Sequence, residues 1–318
     1  MKYLLLFFLF LPLLLCAQSS YAPLHEPYYD LLQRYELLQG RWSGELNSMV
    51  RPFQRDDIAR FLDSLDYTPA SSADRFNLAY LQQDNWEYND SLIQHPRQGV
   101  WNTLYRQKRD LLNVREKHFE LYVSSVLHFV AGADDAEGMP FVNTRGLQLH
   151  GSIDNKVGFY TYIGENQAAF PDYVDDYIRT NLQVPQEGFW KNFGERGVDF
   201  LTARGHISLQ ATQHIDMQFG HGRHFIGNGY RSLLLSDFSN NYLFLRVNTR
   251  VWKLQYTNLF AQMTSDIIGN RTGLFGTLEF PPKYFALHRL GMDITPRLQL
   301  GVFESITYGK PGGGFALN

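Results

Sequence analysis

Between Leu24 and about Lys117 apolar side chains recur every three or four residues, and from His118 onward they recur every second residue. The first pattern predicts short helices. Arg55 to Leu65 places Ile58, Phe61, Leu62 and Leu65 on one helical face, and a stretch from Ser71 places Phe76, Ala79 and Tyr80 likewise. Ser71 followed by Asp74 approximates a capping box, which marks a helix start. Such short, moderately amphipathic helices need a surface to pack on, most simply the rim of whatever the alternating region forms. Residues 18–117 therefore read as a small helical subdomain.

The second pattern predicts strands. Phe119, Leu121, Val123, Leu127 and Phe129 share one face, and His118, Glu120, Tyr122, Ser124 and His128 the other. Leu147, Leu149 and Ile153 oppose Gln148, His150, Ser152 and Asp154, after which Asp154-Asn155-Lys156 makes a tight turn into Val157, Phe159 and Ile163. From His206 to Phe219, Ile207, Leu209, Ala211, Ile215, Met217 and Phe219 lie on one face; His206, Ser208, Gln210, Thr212, His214, Asp216 and Gln218 lie on the other. Further candidates are Asn241 to Gln262, with a turn near Asn248-Thr249, then Gly273 to Phe280, Tyr284 to Ile294 and Arg297 to Tyr308.

Alternation alone also fits a soluble sandwich. Length separates the two: globular strands run about 5 or 6 residues and bilayer-spanning ones about 9 to 11, which several runs reach. The fold class expected is an all-β antiparallel transmembrane β-barrel over residues 118–318, with an N-terminal helical subdomain. Asp154-Asn155-Lys156 takes the place of a short periplasmic turn, and Asn166 to about Arg204, with a short helix near Tyr173 to Arg179, that of an external loop. About seven to nine strands are countable, the low end for such barrels. The glycine-rich end from Pro311 to Asn318 is a poor place for a barrel to finish, so the barrel is expected to be truncated. A half barrel would be a curved sheet with Gln148, His150, Ser208, Gln210, Thr212, His214 and Gln218 on its concave face and Leu147, Leu149, Ile207, Leu209, Ile215 and Met217 on its convex face.

Composition agrees. Aromatic residues make up 15% of the chain, yet mean hydropathy is negative and only one long apolar run exists. Helical membrane proteins are excluded, whereas a barrel with aromatic girdles and a polar interior reconciles the two facts. The apolar run, Tyr3 to Cys16 after Met1-Lys2, is too short to span a bilayer and reads as a signal peptide over residues 1–17, cleaved after Ala17. The competing reading is a lipoprotein signal ending at Cys16, although the large Leu15 precedes it. Cleavage after Ala17 removes the single cysteine, and with it any disulfide or thiolate chemistry. A net charge of −3 gives no basis for nucleic-acid binding. Arginine outnumbers lysine 21 to 8, which suits fixed polar networks, in a barrel wall or against sugars.

The most distinctive segment is Gly220-His221-Gly222-Arg223-His224-Phe225-Ile226-Gly227-Asn228-Gly229-Tyr230-Arg231-Ser232-Leu233-Leu234-Leu235-Ser236-Asp237. It is neither a dinucleotide fingerprint nor a phosphate loop. Its glycines permit a sharp bend or bulge at a barrel rim. Arg223, Asn228, Tyr230, Arg231 and Asp237 are the candidate ligand-binding residues, offering hydrogen-bond forks and aromatic faces of the kind sugars use. No metal site is expected. His206 and His214 lie roughly 25 Å apart on one extended run, and His221 and His224 lack a third ligand at suitable spacing. Asp134, Asp135 and Glu137 miss the spaced oxygen pattern of a calcium loop. Asp237 and Glu304 sit in apolar surroundings, but no catalytic motif accompanies them, so neither an enzyme nor a cofactor is expected.

Phe219 to Met263, with Gly-His-Gly-Arg-His-Phe-Ile-Gly-Asn-Gly-Tyr-Arg-Ser-Leu at its heart, resembles the capsule-assembly Wzi-like outer-membrane family in its Bacteroidetes form, some members of which are linked to gliding motility. Arg51-Pro52-Phe53, Asp57 to Leu62, and Val302-Phe303-Glu304-Ser305 extend the resemblance. It implies an outer-membrane barrel of about eighteen strands with a periplasmic helical portion, of which this chain would supply about half. It further implies a lectin-like role toward capsular or exported polysaccharide, with outer-membrane lipid and export or motility proteins as partners. The alternatives are a component of gliding-motility machinery without a sugar site and a polysaccharide-cleaving enzyme.

Overall fold

A computed structural model describes residues 19–24, 28–66, 71–89, 109–133, 138–264 and 281–309. The signal region, the acidic loop at Asp134 to Glu137, the candidate strand Gly273 to Phe280 and the glycine-rich end lie outside them.

Three short helices come first: α1 (Tyr28–Gln39), α2 (Arg55–Asp63) and α3 (Ser72–Asp84), with strand β1 (Val50–Arg51) between the first two. α2 buries Ile58, Phe61 and Leu62 as its spacing predicts. Ser71 caps α3, its hydroxyl accepting the Asp74 amide. The buried face of α3, however, is not the predicted one. Asp74 and Leu81 are buried, while Phe76 is 73% exposed. Contacts at the capped end fix the rotation: Arg34 pairs with Asp74 at 3.0 Å and the Tyr35 hydroxyl donates to the Asp74 carbonyl at 2.6 Å.

The strands follow: β2 (Leu112–Glu116), β3 (Phe119–Ala131), β4 (Phe141–Ile153), β5 (Val157–Ala169), β6 (Lys191–Phe193), β7 (Gly197–Thr212), β8 (Ile215–Gly222), β9 (Phe225–Ile226), β10 (Tyr242–Val251), β11 (Leu254–Thr264), β12 (Pro282–Thr295) and β13 (Leu298–Tyr308), with helix α4 (Asp172–Asn181) between β5 and β6. The large sheet thus begins at Leu112, inside the region read as helical. All strands but β1 and β9 form one antiparallel sheet in the order β2-β3-β4-β5-β7-β8-β10-β11-β12-β13, with β6 beside β7. The order is open among the described residues, so β2 and β13 are its end strands. It is one sheet, not two packed face to face.

Two strand assignments need correction. His206 to Phe219 is not one run: a turn at Gln213-His214 folds it into β7 and β8. The predicted faces survive because antiparallel partners share a face, Ile207 opposite Phe219 and Leu209 opposite Met217. The β10–β11 turn lies at Trp252-Lys253, not Asn248-Thr249, because Asn248 stays in the ladder and its side chain bonds Asp216 and Thr257. The turn after Ile153 forms as predicted, with Asp154 and Asn155 both at φ 52° and the Lys156 amide donating to the Ile153 carbonyl, a geometry these residues tolerate best.

The two faces of the sheet differ as the pattern requires. Leu147, Ile163, Ile207 and Phe219 point outward and are exposed, whereas Gln148, His150, Ser208 and Gln218 point inward and are buried. Thr212 and His214, expected on the concave face, sit exposed at the β7–β8 turn. The outward face is interrupted at Arg145 and Glu165, and again where Asn258, His288 and Glu304 align across β11, β12 and β13.

What buries the inward face is the N-terminal segment, not a second sheet. Trp86 meets Tyr122 of β3, Glu87 bonds His150 of β4, Ser19 accepts from Ser208 of β7, Tyr21 bonds Asp216 of β8, the Pro52 carbonyl takes the Arg246 guanidinium of β10, and the Trp42 amide reaches the Pro296 carbonyl of the β12–β13 turn. Laid flat, β3 and β12 would stand roughly 34 Å apart at ordinary strand spacing. The N-terminal segment reaches both, Trp86 at β3 and Trp42 at the β12–β13 turn, so it extends along the inward face. The N-terminal segment therefore meets the inward face through the stretches before, between and after its three helices, because inward polar groups such as Arg246 and His150 need partners once water is excluded.

Candidate functional site

Chain connections alternate in length. Residues 117–118, 154–156, 213–214, 252–253 and 296–297 form short turns at one end of the sheet, and at the other end the longer connections leave it at Ala131, Ala169, Gly222 and Thr264 and rejoin it at Phe141, Lys191, Tyr242 and Pro282. At the long-connection end a cleft of about 510 Å³ opens between the 183–189 loop, the 238–242 segment, β7 and the ends of β8, β11 and β12.

Two local features build its wall. Leu182, in the left-handed conformation, ends α4, and Val184 and Gly188 then close a tight turn, with the Val184 amide donating to the Gly188 carbonyl at 2.7 Å. Val184 anchors this turn in a small core with Ala168, Ile178, Val198 and Phe200. The turn thereby projects Gln186, Glu187 and the exposed ring of Phe189 toward the 238–242 segment.

Beneath the cleft, Arg223 ties the two walls together. Its Nη1 donates to Gln186 Oε1 at 2.8 Å and to the carbonyls of Asp237 and Ser239 at 3.3 Å each. Its Nη2 lies 3.4 Å from Glu187 Oε1, which also accepts from Arg204 Nη2 at 2.7 Å. Two guanidinium groups thus share one carboxylate. Burial, assisted by the neighbouring charge of Arg204, lowers the Arg223 pKa to about 10, so the group stays charged at neutral pH.

Of the predicted ligand residues, Arg223 and Asp237 meet here, as supports of the cleft more than as its surface. Tyr230 and Arg231 stand on the adjoining loop, where Arg231 stacks between Tyr230 and Phe238, at 4.7 and 4.9 Å from the ring centroids. Phe238 lines the cleft. Asn228 lies apart and lines a different cavity. The residues that face the opening, Tyr177, Gln183, Phe189, Asn240, Asn241 and Lys283, were not identified from sequence. Only the exposed aromatics in a long connection could have pointed to them. Aromatic faces beside amide donors and acceptors are chemistry suited to sugars.

The glycine-rich segment is not simply a rim bend. His224, Phe225 and Ile226 are buried, β9 pairs with β1, and the Gly227 amide donates to the Met49 carbonyl at 2.8 Å. Gly227 has φ +116°, and a Cβ there would stand 2.4 Å from Ser232 Oγ. Gly220 is glycine for a second reason, since a Cβ would meet the Gly205 carbonyl at 2.2 Å. His206 stacks on Tyr160 and His224 is edge-on to Phe244. Among the described residues no group of three or more His, Cys, Asp or Glu side chains could hold a metal ion. Glu304 is exposed on end strand β13, opposite His288.

Compared with protein-family models, with curated proteins and with solved structures, the chain matches none of them.

Proposed function

We propose that this chain is an outer-membrane β-barrel protein that holds or organises capsular or other exported polysaccharide at the cell surface, as its resemblance to the Wzi-like family implies. The observation that carries the reading is the cleft of aromatic and amide side chains at the long-connection end of a sheet whose outward face is largely apolar. Strands β3, β4 and β5 of 13 residues each are long enough to cross a bilayer, and helices cannot, since among the described residues none is long and apolar enough. In such barrels the short turns face the periplasm and the long connections face outward, an orientation in which the cleft would be open to an exported glycan.

The test pairs cells with purified protein. Cells lacking the gene should lose surface polysaccharide, and the purified protein should bind that polysaccharide. Phe189→Ala combined with Phe238→Ala should weaken binding about fivefold to a hundredfold, the scale of two lost aromatic contacts. Unchanged polysaccharide with lost spreading would favour the motility role instead. Reducing ends released by purified protein would favour the enzyme.

A further inference from the structure

We infer that a second cavity, at the short-turn end, binds a carboxylate carried on an apolar body the size of one aromatic ring and a short linker. The inference does not rest on the polysaccharide reading. The cavity holds about 340 Å³, within the range of small-molecule sites, and lies between α1, residues 40–53, Asn228 and Arg297 of the β12–β13 turn. Its apolar walls come from Tyr29, Leu32, Leu46 and Phe53, all buried, with Trp42 beside them. A wholly polar ligand would leave these walls unsatisfied.

Of the three arginines lining it, Arg41 pairs with Asp66 at 2.9 Å, which leaves Arg51 and Arg297 to supply the charge. Arg51 is held between rings, its Cζ 5.4 Å from the Tyr29 centroid and 4.9 Å from that of Phe225. Its hydrogen bond to Gln33 is long, 3.4 Å, and its Nε is buried with no partner. Arg297 donates from Nε to the Gly40 carbonyl at 3.2 Å. Among the described residues neither forms an ion pair, whereas Arg55, Arg109 and Arg204 each have a carboxylate. The acid lining the cavity, Glu36, is turned to its own loop, accepting from the Ser43 amide at 2.8 Å and the Ser48 hydroxyl at 2.6 Å. Burial raises the Glu36 pKa, while the Ser43 and Ser48 bonds and the charge of Arg51 act in the opposite direction. A planar carboxylate fits the free edge of a guanidinium, and the apolar walls fit what it is attached to. Such a group is found on a free aromatic or short fatty acid and on the last residue of a peptide chain.

Titration calorimetry on the full chain in lipid nanodiscs tests this with phenylpropanoate, phenylpropanamide, and a tripeptide ending in Phe with a free or amidated terminus. Phenylpropanoate should bind, and the amide at least about tenfold more weakly, the scale of a lost charge-assisted bond. Arg297→Gln, on an exposed turn, should reduce acid binding toward that of the amide, as should Arg51→Gln if it folds. Tighter binding of the free-terminus peptide than of phenylpropanoate would assign the site to a chain end, and the reverse to a free acid. Equal affinity for acid and amide, no binding of either, or full acid affinity in folded Arg297→Gln would overturn the inference.

Discussion

Ile207→Lys tests whether the outward face meets lipid. Ile207 lies mid-strand on β7, is 55% exposed, and stands between Phe159 and Phe219 on the neighbouring strands. A lysine at the midplane of a lipid-facing barrel wall costs about 2–4 kcal/mol, while a surface substitution in water stays within about 0.5 kcal/mol. Losing the cross-strand contacts adds about 0.2–1 kcal/mol in either case, and Ile207→Ala measures that share. The lysine variant should therefore be at least about 1.5 kcal/mol less stable than the alanine variant, roughly a tenfold change in the folding equilibrium. Urea titration of protein folded into lipid vesicles, read by tryptophan emission and by heat-dependent gel mobility, gives the comparison. Equal stabilities for Lys and Ala would refute the lipid-facing assignment. The next residue supplies the contrast: Ser208 is fully buried and donates to the Ser19 carbonyl at 3.2 Å, so Ser208→Leu should destabilise by about 1–3 kcal/mol through that lost bond alone.

Further outcomes follow from the buried network and the turn. Glu87→Ala should cost about 3–5 kcal/mol in urea titration, because Glu87 pairs with His150 at 3.0 Å and with Arg109 at 3.4 Å and its loss strands buried charge. Burial alone would raise the Glu87 carboxyl, but Arg109 and His150 hold it at about 2; its contribution is present above the ordinary carboxylate range and fades as pH falls from about 4.3 toward 2, a slope Glu87→Gln should remove. Asp57 acts oppositely, since burial and Asp56 push it to about 7. It favours folding at low pH and ceases to as pH rises from about 4 through 7, so Asp57→Asn should flatten that part of the stability profile. Gly227→Ala should destabilise by about 1–3 kcal/mol from backbone strain, and thermal melting that matches the unsubstituted protein would contradict the turn geometry.

The chain's own pattern determined the strands and their faces. A period of two makes every second side chain share a surface, so the outward placement of Leu147 and Ile207 and the burial of Gln148 and Ser208 follow from alternation, and the Asp154-Asn155 turn follows from residues that tolerate positive φ. The cap at Ser71 and the buried face of α2 were legible for the same local reason. Alternation is blind to folding back, however, which is why β7 and β8 read as one run. Tertiary contacts decided the rest. Phe76 is exposed because Arg34 and Tyr35 hold α3 by Asp74. The N-terminal segment covers the inward face because Arg246, Asp216 and His150 find their partners at Pro52, Tyr21 and Glu87, far away in sequence. Arg223 and Asp237 meet across a cleft whose surface is supplied by the 183–189 loop, while Asn228, close by in sequence, turns inward to another cavity. Spacing along a chain records which side chains share a face; which distant segments converge depends on where buried polar groups find partners, and that is settled only when the sheet has packed against its N-terminal segment.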